Sequence, residues 1–136
     1  MKTTRTQTLS ISIPTSSSGL ISETLLKVTL DTDYDRCVGV AVYAVTGSTG
    51  GSNTTYYNVG LKHAGNQLLD LVHKDNWLAN TAVPIREHIK PVDFDCDGKT
   101  TVLQVEIPDG ITTNGTLALQ AVFYLTKEPR TTVYNP

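Results

Sequence analysis

Short runs of apolar and β-branched residues, separated by turn-forming residues, recur along the whole chain and constrain its fold more than any other feature. Run 8–13 alternates Thr and Ser with Leu and Ile, which is the period of two expected of a half-buried strand. Eight such runs occur, at 8–13, 25–30, 37–45, 55–62, 67–73, 83–95, 101–107 and 117–125. Only 74–81, which contains Trp77, is expected to include a helical turn. The pattern therefore predicts an all-β domain.

The turns between these runs favour antiparallel pairing of the strands. Asp97 and Gly98 form a strong hairpin signal, because the pair Asp-Gly readily adopts the positive φ of a tight turn. Run 37–45 is apolar on both faces, which suits a central strand that is covered on both sides. About eight strands joined by short turns predict an antiparallel two-sheet sandwich that is jelly-roll-like.

An immunoglobulin-like sandwich is the alternative fold. The order Cys37, Trp77 and Cys96 nominally meets the Cys, Trp, Cys order of antibody domains. Trp77, however, lies in a polar, irregular stretch far from Cys37, not on a core strand soon after it. The jelly roll is therefore the favoured prediction.

The length of the chain predicts a single domain. A stretch of 136 residues, 1–136, suits one hydrophobic core and needs no metal or disulfide to support it. The polar segment 1–7 is predicted to be a short N-terminal arm. The segment 127–136 is predicted to be an extended C-terminal arm.

The two cysteines are too few for a disulfide framework. Cys37 and Cys96 each lie in or beside an apolar run, so buried thiols are the expected state. A bridge between them that joins the two sheets is the alternative, and it would indicate an oxidising compartment.

The charge and hydropathy of the chain exclude several classes of partner. The formal net charge of -2 argues against nucleic-acid binding, since neutralising phosphates requires clustered Lys and Arg. No apolar segment follows Met1, so no secretory signal is expected. No run approaches the roughly 20 apolar residues of a membrane-spanning helix. We therefore expect a soluble protein that is made in the cytosol.

One acidic motif suggests a cation site. Asp93, Asp95 and Asp97 occupy alternate positions before Gly98, as at the opening of a calcium-binding loop. A complete loop would have a bidentate Glu at its twelfth position, where this chain has Gln104. On one face of a strand the three carboxylates would repel one another, so either Ca²⁺ or open solvent must compensate them. A calcium site and a solvated hairpin both remain as interpretations.

Candidate catalytic groups are sparse, and no enzyme activity is expected. His63, His73 and His88 show no metal-ligand spacing, and we interpret them as isolated surface or edge residues. Glu87 and Glu106 could form the carboxylate pair of a glycosidase, but they suit outward-facing strand positions equally well. No Ser or Thr has the Gly-flanked setting of a nucleophile elbow.

Three aromatic residues in or beside loops are candidates for a ligand or subunit contact. Tyr56, Tyr57 and Trp77 could stack on sugar rings, or they could anchor an interface between subunits. Partial burial under the loops is the third interpretation, and the sequence does not choose among the three.

A family resemblance rests on several features of the whole chain. These are the polar segment 1–7, the Val-rich strand at 37–43, strand edges rich in Thr and Ser, and the extended segment 131–136. In these features the chain resembles small jelly-roll capsid and capsid-associated proteins of bacteriophages. The resemblance implies a structural role in a virion, with copies of this chain and other virion proteins as partners and with no cofactor. It also implies assembly through apolar surface and exchanged arms, with cyclic symmetry.

A non-catalytic binding module is the rival function. It would hold a glycan on Tyr56, Tyr57 or Trp77, with Ca²⁺ bound by the aspartate motif. A coat subunit should associate with itself without ligand, whereas a glycan module should be monomeric and gain thermal stability from sugar or Ca²⁺.

Overall fold

The computed structural model describes residues 3–14, 16–44, 56–77, 89–108 and 116–127. Within these ranges the chain forms nine strands and two short 3-10 turns, Glu23–Leu25 and Lys74–Asn76. The second turn lies within the segment in which a helical turn was expected. The strands are β1 Thr3–Ile13, β2 Gly19–Leu20, β3 Lys27–Thr29, β4 Arg36–Ala44, β5 Asn58–His63, β6 Asn66–His73, β7 Lys90–Asp95, β8 Thr100–Ile107 and β9 Leu117–Lys127.

The strands form two antiparallel sheets that pack as a sandwich, which confirms the predicted fold class. One sheet has four strands in the order β1-β9-β4-β7. The other has five, in the order β2-β8-β5-β6, with β3 also paired to β8. β2 and β3 thus share one strand position, so the sandwich has the eight positions of a jelly roll.

The pairing is nested along the chain. β1 pairs with β9, β2 and β3 with β8, β4 with β7, and β5 with β6. Among the described strands, only β5 and β6 are both consecutive and paired. This arrangement is a long antiparallel hairpin rolled up on itself, and it differs from the sheet composition of an immunoglobulin domain.

The core lies between the two sheets and follows the alternation read from the sequence. The inward face of β9 is buried and consists of Leu117, Leu119, Ala121, Phe123 and Leu125. The facing sheet contributes Leu103, Val105 and Ile107 of β8, which are also buried. Removing a side chain such as Phe123 from water stabilises the fold by about 1.5–3 kcal/mol.

The first strand is longer than the sequence predicted. Segment 1–7 was expected to be an arm, but Thr3–Gln7 extend β1 and pair with Phe123–Lys127 of β9. The reason is that β9 continues far enough to provide backbone partners for these Thr-rich residues. Of the predicted C-terminal arm, Lys127 is the last residue of β9, and 128–136 lie outside the described residues.

Candidate functional site

The structure separates the three aspartates on which the calcium hypothesis rests. Asp93 and Asp95 project from β7 into solvent, and Arg36 of β4 forms ion pairs with both. Its Nη1 lies 2.5 Å from Asp95 Oδ1, and the hydrogen bond to Asp93 is the main cause that raises the pKa of Arg36. Asp97 lies in the turn after β7 and contacts His63 instead.

These pairings leave no shared space for a cation. The charge of Arg36 and the surrounding solvent compensate Asp93 and Asp95, so Ca²⁺ is not needed for that purpose. In the described part of the chain, no three His, Cys, Asp or Glu side chains converge on a point where a metal ion could bind. In this structure the three aspartates do not converge on one point, and the calcium site stays a prediction.

A hydrogen-bonded chain that the sequence analysis missed links His63, Asp97 and Thr101. His63 is the buried last residue of β5, and its Nε2 lies 2.9 Å from Asp97 Oδ1. Its Nδ1 lies 2.8 Å from Thr101 Oγ1, and its ring packs against Phe94 with 4.6 Å between the ring centroids. Since a hydroxyl can donate or accept, Thr101 satisfies Nδ1 in either protonation state of the ring.

The hydrogen bonds of Asp97 also fix the conformation of the turn between β7 and β8. Asp97 Oδ1 accepts a hydrogen bond from the backbone N–H of Lys99 at 3.1 Å, and Gly98 has a φ of +79°. The bond from Lys99 and the contact with His63 together lower the pKa of Asp97 below its usual range. A turn lies where the Asp-Gly pair predicted one, and a side chain from β5 fixes it. The predicted hairpin is wrong, because β7 and β8 belong to different sheets and do not pair with each other.

The order acid, imidazole, hydroxyl does not amount to a hydrolase site. Thr101 is fully buried, so no substrate can reach its hydroxyl. The arrangement connects the turn after β7 to the end of β5 and offers no accessible nucleophile. A signal for the burial of His63 was available, because it continues the inward series of Val59 and Leu61.

Two of the three candidate aromatic residues belong to the core. Tyr57 and Trp77 are each only 1% exposed, so neither provides a platform for a ligand. Lys74 Nζ lies 5.5 Å from the Tyr57 ring centroid, and Lys90 Nζ lies 5.9 Å from that of Trp77. Lysine side chains therefore shield the outer sides of these rings. The interpretation as partly buried loop aromatics comes closest, although the burial is nearly complete.

Tyr56 is the exposed member of the set. Its ring makes an edge contact with His73 of β6, with 4.4 Å between the centroids. Near it, on the outer face of the five-stranded sheet, Asn58 Nδ2 donates to Glu106 Oε1 at 3.3 Å. Farther along the same face, Gln67 donates to Gln104, and Lys62 pairs with Glu23 at 3.4 Å. This outer face is a polar row of mutually paired side chains.

The four-stranded sheet has a different outer face, which carries a groove of about 610 Å³ between β1 and β4. We call it the β1–β4 groove. Its described lining residues are Thr4, Arg5, Thr6, Val38, Gly39, Ile89, Tyr124, Leu125 and Thr126. Most of this lining surface is apolar, and its charged member, Arg5, forms an ion pair with Asp31.

A local irregularity in β4 forms this groove. The register of β4 shifts between Cys37 and Gly39, and Val38 between them is left exposed. Gly39 contributes no side chain, and a Cβ at that position would lie 2.6 Å from Ile89 Cγ2. The absence of a side chain at Gly39 lets Ile89 approach the sheet and leaves an apolar surface beside Tyr124.

Both cysteines are free thiols in the core. Cys37 Sγ donates to the backbone oxygen of Gly39 at 3.4 Å. Burial raises the pKa of Cys37 to about 12 and that of Cys96 to about 11. Both groups stay protonated at neutral pH, so the structure favours buried thiols over the disulfide bridge.

No protein-family model, curated protein or solved structure matches this chain. Within the described residues, no helix is both long and apolar enough to cross a membrane.

Proposed function

We propose that this chain is a non-enzymatic structural subunit of a virion that associates with copies of itself. The observation that carries the proposal is the β1–β4 groove. An apolar hollow of about 610 Å³ on an otherwise regular sheet face offers surface that association would remove from water. A second copy of the chain is the occupant that we propose for this face.

The polar groups near the groove support a role in association over one in catalysis. Arg5 is engaged by Asp31, and Tyr124 is hydrogen-bonded to Tyr43, with burial as the main cause that raises the pKa of Tyr124. The described lining has no carboxylate, histidine or cysteine directed at a common point. Shape and apolar contact are what this surface provides.

The virion setting is supported by the architecture and by the resemblance noted above. Jelly rolls with two packed sheets are used by viral capsid proteins, and lectin domains use the same architecture. This part of the proposal is an analogy at the level of the fold, because one fold serves many functions.

Two substitutions of equal exposure test the role of the groove face. Val38 is 39% exposed in the groove, and Leu68 is 37% exposed on β6 of the other sheet. We expect the wild-type chain to form a discrete oligomer by light scattering, Val38→Lys to lower its mass, and Leu68→Lys to leave it unchanged. Equal losses for both variants, with both still folded by circular dichroism, would contradict the use of this face.

Glycan recognition is the second candidate, and one observation favours it. Tyr56 exposes an aromatic ring against His73, whose strand neighbour Asn58 donates to the carboxylate of Glu106. An aromatic ring on the same face as an amide and a carboxylate suits stacking and hydrogen bonding to a sugar. A glycan array should then show binding that Tyr56→Ala abolishes and Val38→Ala leaves intact. Absence of binding to any glycan would remove this candidate.

A further inference from the structure

The two sheets present outer edges that differ in their protection against pairing with another chain. Exposed edges are normally blunted by proline, charge, bulges or short length. β7 carries Pro91, Asp93 and Asp95, and its pairing with β4 is interrupted by a register shift. β6 carries Asp70, and its register with β5 shifts twice. β2 and β3 have only 2 and 3 residues.

β1 is less protected than these strands within its described residues. It is 11 residues long, contains no proline, and pairs with β9 from Thr3 to Ile13 without a register shift. Its charged residue, Arg5, is held by Asp31. In an antiparallel pair every second residue directs its N–H and C=O away from the partner. No described strand pairs with β1 on its second side, so among the described residues β1 presents a long row of such groups on that edge.

The 3-10 turn beside this edge carries an exposed apolar residue, Leu25, which is 42% exposed. That turn contacts β1, and the Gln7 side chain of β1 donates to the backbone oxygen of Thr29 in β3. The open edge of one sheet thus lies next to an exposed leucine at the edge of the other.

We infer that two copies of this chain pair antiparallel through the free edges of their β1 strands, about a two-fold axis. This inference rests on the proposed self-association and identifies one interface that would produce it. The two four-stranded sheets would join into one continuous sheet of eight strands. The β1–β4 groove is lined in part by residues of this edge, namely Thr4, Arg5 and Thr6. Pairing of the two β1 strands would therefore place the grooves of both copies on one continuous sheet face.

The sequence of β1 is self-complementary in this arrangement. Its exposed outward residues are Thr4, Thr6, Thr8, Ser10 and Ser12. With Thr8 on the axis, Thr6 lies opposite Ser10 of the second copy, and Thr4 lies opposite Ser12. Hydroxyl side chains that face each other across an antiparallel pair form favourable cross-strand contacts. A two-fold interface requires this kind of match between a surface and itself.

Charge substitutions test both the edge and the register. The double variant T6K/S10K places like charges opposite each other twice across the axis, whereas T6K/S10E places opposite charges there. We expect T6K/S10K to lose the interface, with a fall in the mass measured by light scattering, and T6K/S10E to retain a larger mass. Both variants carry the same lysine in the β1–β4 groove, so the difference between their masses reports the paired edges. The control L68K/D70K puts two lysines on the edge strand β6 and should keep the wild-type mass. Melting curves establish that each variant is folded.

A cysteine on the axis gives a direct measure of proximity. Opposite residues of an antiparallel pair have Cα atoms about 4.5–5.5 Å apart, which is within the reach of a disulfide. Under mild oxidation T8C should form a covalent dimer of two 14.7 kDa chains, and D70C should not. The native thiols are buried and should not contribute.

The outcomes separate the inference from the function on which it rests. A wild-type oligomer that survives T6K/S10K, with T8C no more cross-linked than D70C, would overturn the β1 interface and leave self-association standing. A wild-type chain that is monomeric at every concentration would overturn both.

Discussion

His63 and Asp97 connect the end of β5 to the turn that leads from one sheet to the other, because the ring nitrogen Nε2 of His63 lies 2.9 Å from the carboxylate Oδ1 of Asp97 between β7 and β8. The hydroxyl Oγ1 of Thr101, which is fully buried, lies 2.8 Å from Nδ1 of the same ring. These contacts attach the turn after β7 to the end of β5. Because both ring nitrogens of His63 have a partner, a histidine is tolerated in the core.

Removing the hydroxyl of Thr101 should destabilise the protein. Thr101→Val keeps the volume of the side chain but leaves Nδ1 of the buried His63 without this partner. An unsatisfied buried polar group costs about 1–3 kcal/mol, and we expect the free energy of unfolding to fall by that amount. Chemical denaturation measures it, with Thr100→Val, an exposed neighbour, as the control. Equal stability of both variants would show that the hydroxyl contact contributes nothing.

Asp97 should make stability depend on acid pH. Its folded pKa is lowered, first by the hydrogen bond from Lys99 and then by His63, so it stabilises the fold at pH values above the ordinary aspartate pKa. This contribution is lost as the pH falls from about 4 through the lower folded pKa. Denaturation curves across this range should show a smaller acid-induced loss for Asp97→Asn than for wild type. Asp70→Asn should follow wild type, and identical curves for all three would contradict the assignment.

Calcium should not stabilise the wild-type chain. Arg36 occupies the space between Asp93 and Asp95 and provides the positive charge that a cation would otherwise supply. We expect the same Tm in EDTA and in millimolar Ca²⁺. A Ca²⁺-dependent rise in Tm that the double variant D93N/D95N abolishes would contradict this account and show that Ca²⁺ displaces the Arg36 side chain from the two carboxylates.

Neither cysteine should react in the folded protein. Burial raises the pKa of Cys37 to about 12 and that of Cys96 to about 11, so almost no thiolate exists at neutral pH. A chromogenic disulfide reagent should report no free thiol before unfolding and two after unfolding in denaturant. Rapid modification of the native chain would mean that the core opens locally around one of them.

Local patterns in the sequence were sufficient for most of the strands and for the position of one turn. The alternation from Leu117 to Leu125 fixes the buried face of β9, and the Asp97-Gly98 pair marks a turn, because both depend on neighbours a few residues away. The hairpin predicted at that turn is wrong, because β7 and β8 belong to different sheets. The pairing of Arg36 with Asp93 spans 57 residues, and that of His63 with Thr101 spans 38. Such contacts depend on which strands become neighbours, and alternation within one strand carries no information about that.

The length of β1 and the burial of the aromatic residues escaped prediction for the same reason. Thr3–Gln7 are a strand because β9 extends to Lys127 beside them. Tyr57 and Trp77 flank polar segments, and their burial results from packing against the rest of the sandwich.

The mass of the purified chain in solution tests the central claim most directly. Size-exclusion chromatography with light scattering, over a range of concentrations, should give a discrete multiple of 14.7 kDa. A mass that stays at 14.7 kDa up to the highest soluble concentration would contradict a self-associating structural subunit and direct attention to the polar face around Tyr56.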